Sequence, residues 1–361
     1  MAKIFISKKT TKPTMKFPKI GTPPKFLLWF TLGFFSSSMA EVLSSSHPQG
    51  IFDLWGIMVI FPLYTLHILV LSGILFKIGI NWQRLFLFGC VFGMYEGYIT
   101  KVFWDPFWGP EEFEVLGVYW FQFSTLVFFW HAFFAFILPL LVVERFFTSS
   151  SFVLDSVKKF PLLNKLSRRT AVLPLTFGLV QSSNTSAETT ITFGVANLIT
   201  LVAITLLFKK LYKNQMYSID ELLPKGRDLK ILTLMLIAFY IFWTFVLRYE
   251  SIGDIKSQLV VLLMYLIFGI AIIKSSDHNE HLKEVQENHK HGFRPLYIYY
   301  TTYLASAITF VMISAVLPTF PITIAFLLLG TAYGIALFLI VLRFLPPPVI
   351  FLRLKSKLKR T

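Results

Sequence analysis

The sequence predicts an all-α integral membrane protein, a bundle of about ten transmembrane helices with both the N and C termini cytoplasmic. Three observations carry that expectation. Hydrophobic residues make up 55% of the 361 and charged residues only 15%, with a mean hydropathy of +0.66, whereas a soluble domain carries about 25% charge. The apolar residues come in long runs without period-two alternation, which excludes a strand barrel. The 34 Lys and Arg fall in short runs between the apolar stretches, the pattern of membrane topology rather than of a nucleic-acid-binding face. A net charge of +15 therefore implies basic cytoplasmic loops with the lipid bilayer as partner, and no nucleic acid. The single cysteine, Cys90, lies within an apolar run and leaves no intramolecular disulfide to form.

Residues 1–25 read as a basic, Pro-ending cytoplasmic tail. The first span follows at 26–44; its rival reading is a secretory signal peptide cleaved after Ser38-Met-Ala40. The second span, 54–76, carries Pro62 and His67, the third covers 85–103, and the fourth, 119–143, carries His131. Together 26–146 form a four-span core that holds most of the ionisable residues expected inside the membrane. A basic cytoplasmic connector, 147–170, leads to six accessory helices over 171–344 and a basic tail, 345–361. The fifth apolar run, 171–187, is short or broken, since a span needs about 20 apolar residues. Charge resolves its course. If it crosses, all but three of the 34 Lys and Arg (Lys101, Arg248 and Lys256) lie on the cytoplasmic side. If it does not, the basic connectors 145–170 and 209–230 lie on opposite faces, against the positive-inside rule. The expected location is the plasma membrane.

The third span is the most informative stretch. Gly89, Gly93 and Gly97 recur every four residues, a stripe that lets another helix approach closely and a possible helix–helix partner face. Glu96 sits beside it, and an ionisable residue within a span is a functional-site candidate by default. Thr100 shares its face, but Lys101 is about 140° away around the helix, so the two make no intrahelical pair. Lys101 is expected to snorkel toward the outer interface, and Glu96 to find its partner on another helix. His131 is the obvious one, the pair then serving as general base and proton-shuttling partner; the bland alternative is a buried pair that fixes packing. Glu41 lies on a polar stripe with Ser37, Ser38, Ser44 and Ser45. His67 shares a face with Tyr64 and Leu71 and reads as a core histidine.

The loop from Trp104 to Glu114 reads as an aromatic interfacial cap whose acidic groups can hold a cation. Around the catalytic candidates Glu96 and His131, the substrate-binding candidates are Glu41, Lys101, Trp104, Asp105 and Trp108. The histidine-rich run 277–291 matches no established zinc spacing and reads as a solvated connector. No phosphate loop, dinucleotide fingerprint or nucleophile elbow is present. Ligands on separate helices carry no spacing, so the sequence assigns no metal and leaves the cofactor unknown.

The segments Ala40-Glu-Val-Leu-Ser-Ser-Ser46, Gly93-Met-Tyr-Glu-Gly-Tyr-Ile-Thr-Lys101 and Trp104-Asp-Pro-Phe-Trp108 resemble a group of uncharacterised prokaryotic polytopic membrane proteins over about residues 26–146. A fainter resemblance is to the CAAX-processing and bacteriocin-processing membrane proteases, which implies Glu96 as a glutamate-motif position and His131 as the histidine of the next helix. The chain departs from that pattern: the doubled glutamate is Tyr95-Glu96, Lys101 is out of helical phase, and no later span contains a histidine. The functions expected are a membrane-embedded hydrolase-like enzyme first, a transporter of a small solute or ion second, and an assembly subunit of a membrane complex third.

Overall fold

The computed structural model describes residues 22–106, 113–161, 172–182, 185–212, 217–275, 293–314 and 320–344. Helix α1 (Thr22–Ser37) continues into a π-helical turn, Ser38–Val42; α2 (Gly56–Ile78) opens with a π-helical turn, Gly56–Ile60. Next come α3 (Trp82–Thr100), α4 (Trp120–Phe147), and α5 (Phe152–Lys158). The later helices are α6 (Val172–Ser182), α7 (Ala187–Tyr212), α8 (Ile219–Leu222), α9 (Gly226–Val246), α10 (Ile255–Lys274), α11 (Arg294–Ser314) and α12 (Phe320–Phe344). A two-stranded hairpin, β1 (Glu114–Val115) and β2 (Val118–Tyr119), precedes α4. Its turn residues Leu116 and Gly117 take positive φ, +57° and +75°, which suits a tight hairpin.

The expected all-α membrane architecture is what the structure shows. Among the described residues seven helices are long and apolar enough to cross a membrane: α2, α4, α7, α9, α10, α11 and α12. The other three expected spans correspond to α1, α3 and α6. Helix α1 has 16 residues and α6 has 11, and α3 carries Arg84 and Glu96 within its 19. Burial separates the seven: 72% of the apolar stretch of α2 and 83% of that of α4 are buried, against 17–33% for the rest. The helix that carries His131 is therefore the centre of the bundle. It packs against α3, α12 and α1, while α2 packs between α1 and α9, and α6 packs on α11.

Inside α4, residues Thr125–Ile137 form a 13-residue π-helix. Such helices occur mostly as single turns and often at functional sites. This wide rod fits because glycines face it from two sides. A Cβ on Gly89 or Gly93 of α3 would lie 2.7 Å from the carbonyl oxygen of Ala132 or Leu126 respectively. On α12, a Cβ on Gly334 would lie 2.0 Å from the Phe128 carbonyl oxygen and one on Gly330 2.1 Å from the Phe129 ring. The helix that the α3 stripe receives is thus the chain's own α4. Gly97 differs: its missing side chain makes room for the Phe103 ring.

The turn between α2 and α3 is closed locally. Asn81 caps α3 by accepting from the Arg84 amide at 2.8 Å, and the Arg84 guanidinium donates to the Ile78 and Gly79 carbonyls at the end of α2. At the other end of α3, Lys101 has φ +61° and is fully buried. Its ammonium donates to the carbonyls of Ile99 (3.0 Å) and Trp243 (3.2 Å). The expected snorkelling toward the interface does not occur, because these helix-end carbonyls satisfy the charge inside the fold.

Asp105 lies outside the spans, paired with Arg248 and accepting from Ser251 Oγ at 2.5 Å. The Ser251 hydroxyl, then Arg248, hold its carboxyl below the usual range. A carboxyl lowered in the fold stabilises it above the unfolded value of about 3.9, and the contribution disappears as pH falls through the lowered value. The group is half-exposed, so solvent screens the pair to well under about 1 kcal/mol. Asp105→Asn is expected to lower the thermal midpoint slightly at pH 7 and to converge on the native protein as pH falls below the unfolded carboxyl value of about 3.9; a thermal-shift series from neutral to acid pH checks it.

Candidate functional site

Four side chains from four helices meet where α1, α2, α3 and α4 converge: Glu41, Tyr64, Glu96 and His131. Glu41 stands on the π-helical turn that ends α1, and that turn is pinned to α4 by the Trp130 indole, which donates to the Ala40 carbonyl at 3.0 Å. Ser36 Oγ adds a second tie, donating to the Ala135 carbonyl at 2.6 Å. Two antiparallel helices in glycine-mediated contact place Glu96 and His131 at different levels, since Gly89 lies against Ala132 and Gly93 against Val127. Side chains on a helix lean toward its N-terminus. On antiparallel helices these two therefore lean toward each other and converge near the level of Gly93.

His131 Nε2 lies 3.5 Å from Glu96 Oε2. The Tyr64 hydroxyl bridges the rest, donating to Glu41 Oε1 and lying 3.0 Å from His131 Nε2. Phe92 stacks on the His131 ring with an interplanar angle of 11°. The site grades from exposed to buried. Ser46, exposed, donates to Glu41 Oε2; Glu41 is half-buried; the side chains of Glu96 and His131 are 9% and 3% exposed. Glu96 Oε2 is fully buried and accepts no hydrogen bond, an expensive arrangement for a carboxylate oxygen. Oxygen and imidazole donors of Glu41, Glu96 and His131 all lie within 4.8 Å of one another, a set able to hold a metal ion.

The structure thus brings together Glu96, His131 and Glu41 of the sequence candidates. Lys101 is occupied by carbonyls as described, and Asp105 by Arg248 and Ser251. Trp104 is buried, stacked edge-on against Tyr98 at 4.9 Å and close to Gly253. Trp108 and the histidine-rich run 277–291 lie outside the described residues. Tyr64 is the site member that the sequence does not single out. Its signal was a tyrosine within an apolar span, one turn before His67 and two residues after Pro62. His67 is buried, its Nδ1 at 2.6 Å from the Leu63 carbonyl and its Nε2 without a hydrogen-bond partner.

A family model described as an uncharacterized membrane protein family matches residues 30–353. The chain belongs to that family. A protein of Archaeoglobus fulgidus, described as an uncharacterized protein, is 48% identical over 318 residues, covering 87% of this chain and 96% of its own length. The resemblance expected over 26–146 therefore extends through nearly all the helices, and neither match carries the likeness to the membrane proteases. No solved structure matches the chain. All four residues of the cluster fall within the region that defines the family.

Proposed function

We propose that this membrane protein is a membrane-embedded hydrolytic enzyme whose working site is the Glu41–Tyr64–Glu96–His131 cluster. The observation that carries the reading is the buried Glu96 oxygen with no donor, 3.5 Å from an imidazole nitrogen. A carboxylate oxygen left without a hydrogen bond in that setting suits a proton acceptor, which must keep a lone pair free for the reacting water. In the step, the water oxygen bonds to the electrophilic carbon or phosphorus of the substrate and its proton passes to Glu96. The bond to the leaving group then breaks, and the leaving group takes up the proton, which restores the carboxylate. His131 orients the water and relays the proton, and Tyr64 fixes the ring relative to Glu41. With the N terminus in the cytoplasm, as the distribution of Lys and Arg requires, the cluster lies toward the outer face of the plasma membrane.

The test uses purified protein in lipid nanodiscs, host lipid and membrane-peptide extracts, and water enriched in oxygen-18. Products that carry one heavy oxygen with the native protein, and are absent with Glu96→Gln, are expected. Identical product profiles for both proteins sink the hydrolytic reading. A transporter is the second reading, favoured by the polar line from half-exposed Glu41 through Tyr64 and His131 to buried Glu96, with His67 one turn along α2. It expects no product but Glu96-dependent flux in sealed vesicles. For the third reading, an assembly subunit, the glycine stripe offers no support, because Gly89 and Gly93 face α4 of the same chain.

A further inference from the structure

We infer that Glu41, Glu96 and His131 form a binding site for one divalent transition-metal ion of zinc-like character. The inference deepens the hydrolytic reading of the same cluster and rests on it for the ion's role, though not for its binding.

Three features converge. First, the donor atoms are placed for an ion. Tetrahedral zinc with bonds of 2.0–2.2 Å holds its ligand atoms roughly 3.4 Å apart, and Glu96 Oε2 and His131 Nε2 already stand at 3.5 Å. The Glu41 carboxylate lies within 4.8 Å of both donors. Second, Glu96 Oε2 is buried and accepts no hydrogen bond, so a lone pair points into the cluster with nothing on it. Third, the charges balance. A buried carboxylate, Glu96, meets a half-buried one, Glu41, and the cations nearest Glu96 in sequence are committed elsewhere: Lys101 to two carbonyls and Arg84 to the end of α2. Two carboxylates and one divalent cation make a neutral site, the form a low-dielectric interior favours.

The donor set selects the class of ion. One imidazole with two carboxylates and no thiolate suits zinc or its first-row neighbours. The imidazole disfavours calcium and magnesium, which take oxygen ligands. Three protein ligands also leave a position open for water, as in catalytic rather than structural zinc sites. Tyr64 keeps its hydrogen bond to Glu41 and orients that carboxylate from outside the ligand shell, while its contact with His131 Nε2 gives way to the metal bond. With an ion bound, Glu96 and Glu41 would serve as ligands, and the ion would supply the acidity of a bound water in place of proton acceptance by Glu96.

The experiment strips the full-length protein in nanodiscs with a chelator, reloads it with Zn²⁺ alone, removes excess by desalting and measures retained zinc by mass spectrometry. About one zinc per chain is expected, with X-ray absorption showing a single imidazole among oxygen ligands. Glu96→Gln and His131→Gln are each expected to weaken zinc binding by on the order of a hundredfold or more, and Tyr64→Phe by about tenfold. A variant with His278, His281, His289 and His291 changed to Gln serves as the control, expected to retain the ion. No retained zinc, or zinc lost in the control and kept in Glu96→Gln, overturns the inference. Should Glu96-dependent products form equally in chelated protein, the ion's role in the reaction is overturned and the hydrolytic reading stands. Should zinc bind at Glu96 with no Glu96-dependent product, the ion stands and the hydrolytic reading falls.

Discussion

Glu96→Gln is expected to leave the bundle folded, with a thermal midpoint in chelator equal to or above that of the native protein, while lowering product formation on the order of 10²–10⁴-fold. The two halves of this result have one cause. Glu96 is buried and its Oε2 makes no hydrogen bond, so in the metal-free fold the desolvation of its charge outweighs what its contacts return. Glutamine has the same shape without the charge and without a proton-accepting carboxylate. A residue retained for packing gives the opposite pattern: a lower midpoint and undiminished turnover per folded molecule. Thermal unfolding and product formation measured on one nanodisc preparation separate the two.

Gly93→Ala is expected to destabilise the protein by about 1–3 kcal/mol and to lower activity with it. The added Cβ would stand 2.7 Å from the Leu126 carbonyl oxygen and 2.8 Å from the Val127 Cα. These are backbone atoms that no rotamer change can move aside. Either α3 withdraws from α4 or the π-helical stretch of α4 deforms, and each parts Glu96 from His131. Gly269→Ala in α10 is the control, because a Cβ there meets nothing within 4 Å. It is expected to be neutral or stabilising by up to about 1 kcal/mol, from helix propensity alone. Chemical or thermal unfolding of both variants checks the contrast; equal behaviour contradicts the glycine-clamp account of α4.

The sequence was legible where a single helix face carries the signal. Apolar run length and the segregation of Lys and Arg revealed a helical membrane bundle, and the short fifth run appears as the 11-residue α6. The stripe Gly89–Gly93 announced a close helix contact and Glu96 beside it announced a site, and both lie on α3 where helical periodicity places them. What periodicity assumes is an ordinary α-helix. The π-helical stretches that hold Glu41 and His131 break that assumption, and Ser44 of the expected polar stripe meets the Glu41 carboxylate through Ser46. Ser46, five residues on, reaches the carboxylate itself. The burial of Lys101 is not legible in the sequence because one of its two carbonyl partners lies at the end of α9, more than a hundred residues away. Tyr64 was hidden for a similar reason: its partners Glu41 and His131 lie on other helices, and nothing in its own helix points to them. Gly330 and Gly334 also repeat at four-residue spacing, but without an ionisable neighbour to mark the face.

The pairing of Glu96 with His131 is tested most directly by an experimental structure of the protein in lipid nanodiscs that resolves both side chains. The expected result is the Glu96 carboxylate within about 4 Å of the His131 ring, directly or across one bridging water or ion, with Tyr64 and Glu41 completing the cluster. A Glu96 carboxylate turned toward lipid, or held by a backbone amide away from His131, would contradict the account and remove the central residue from every function proposed for this site.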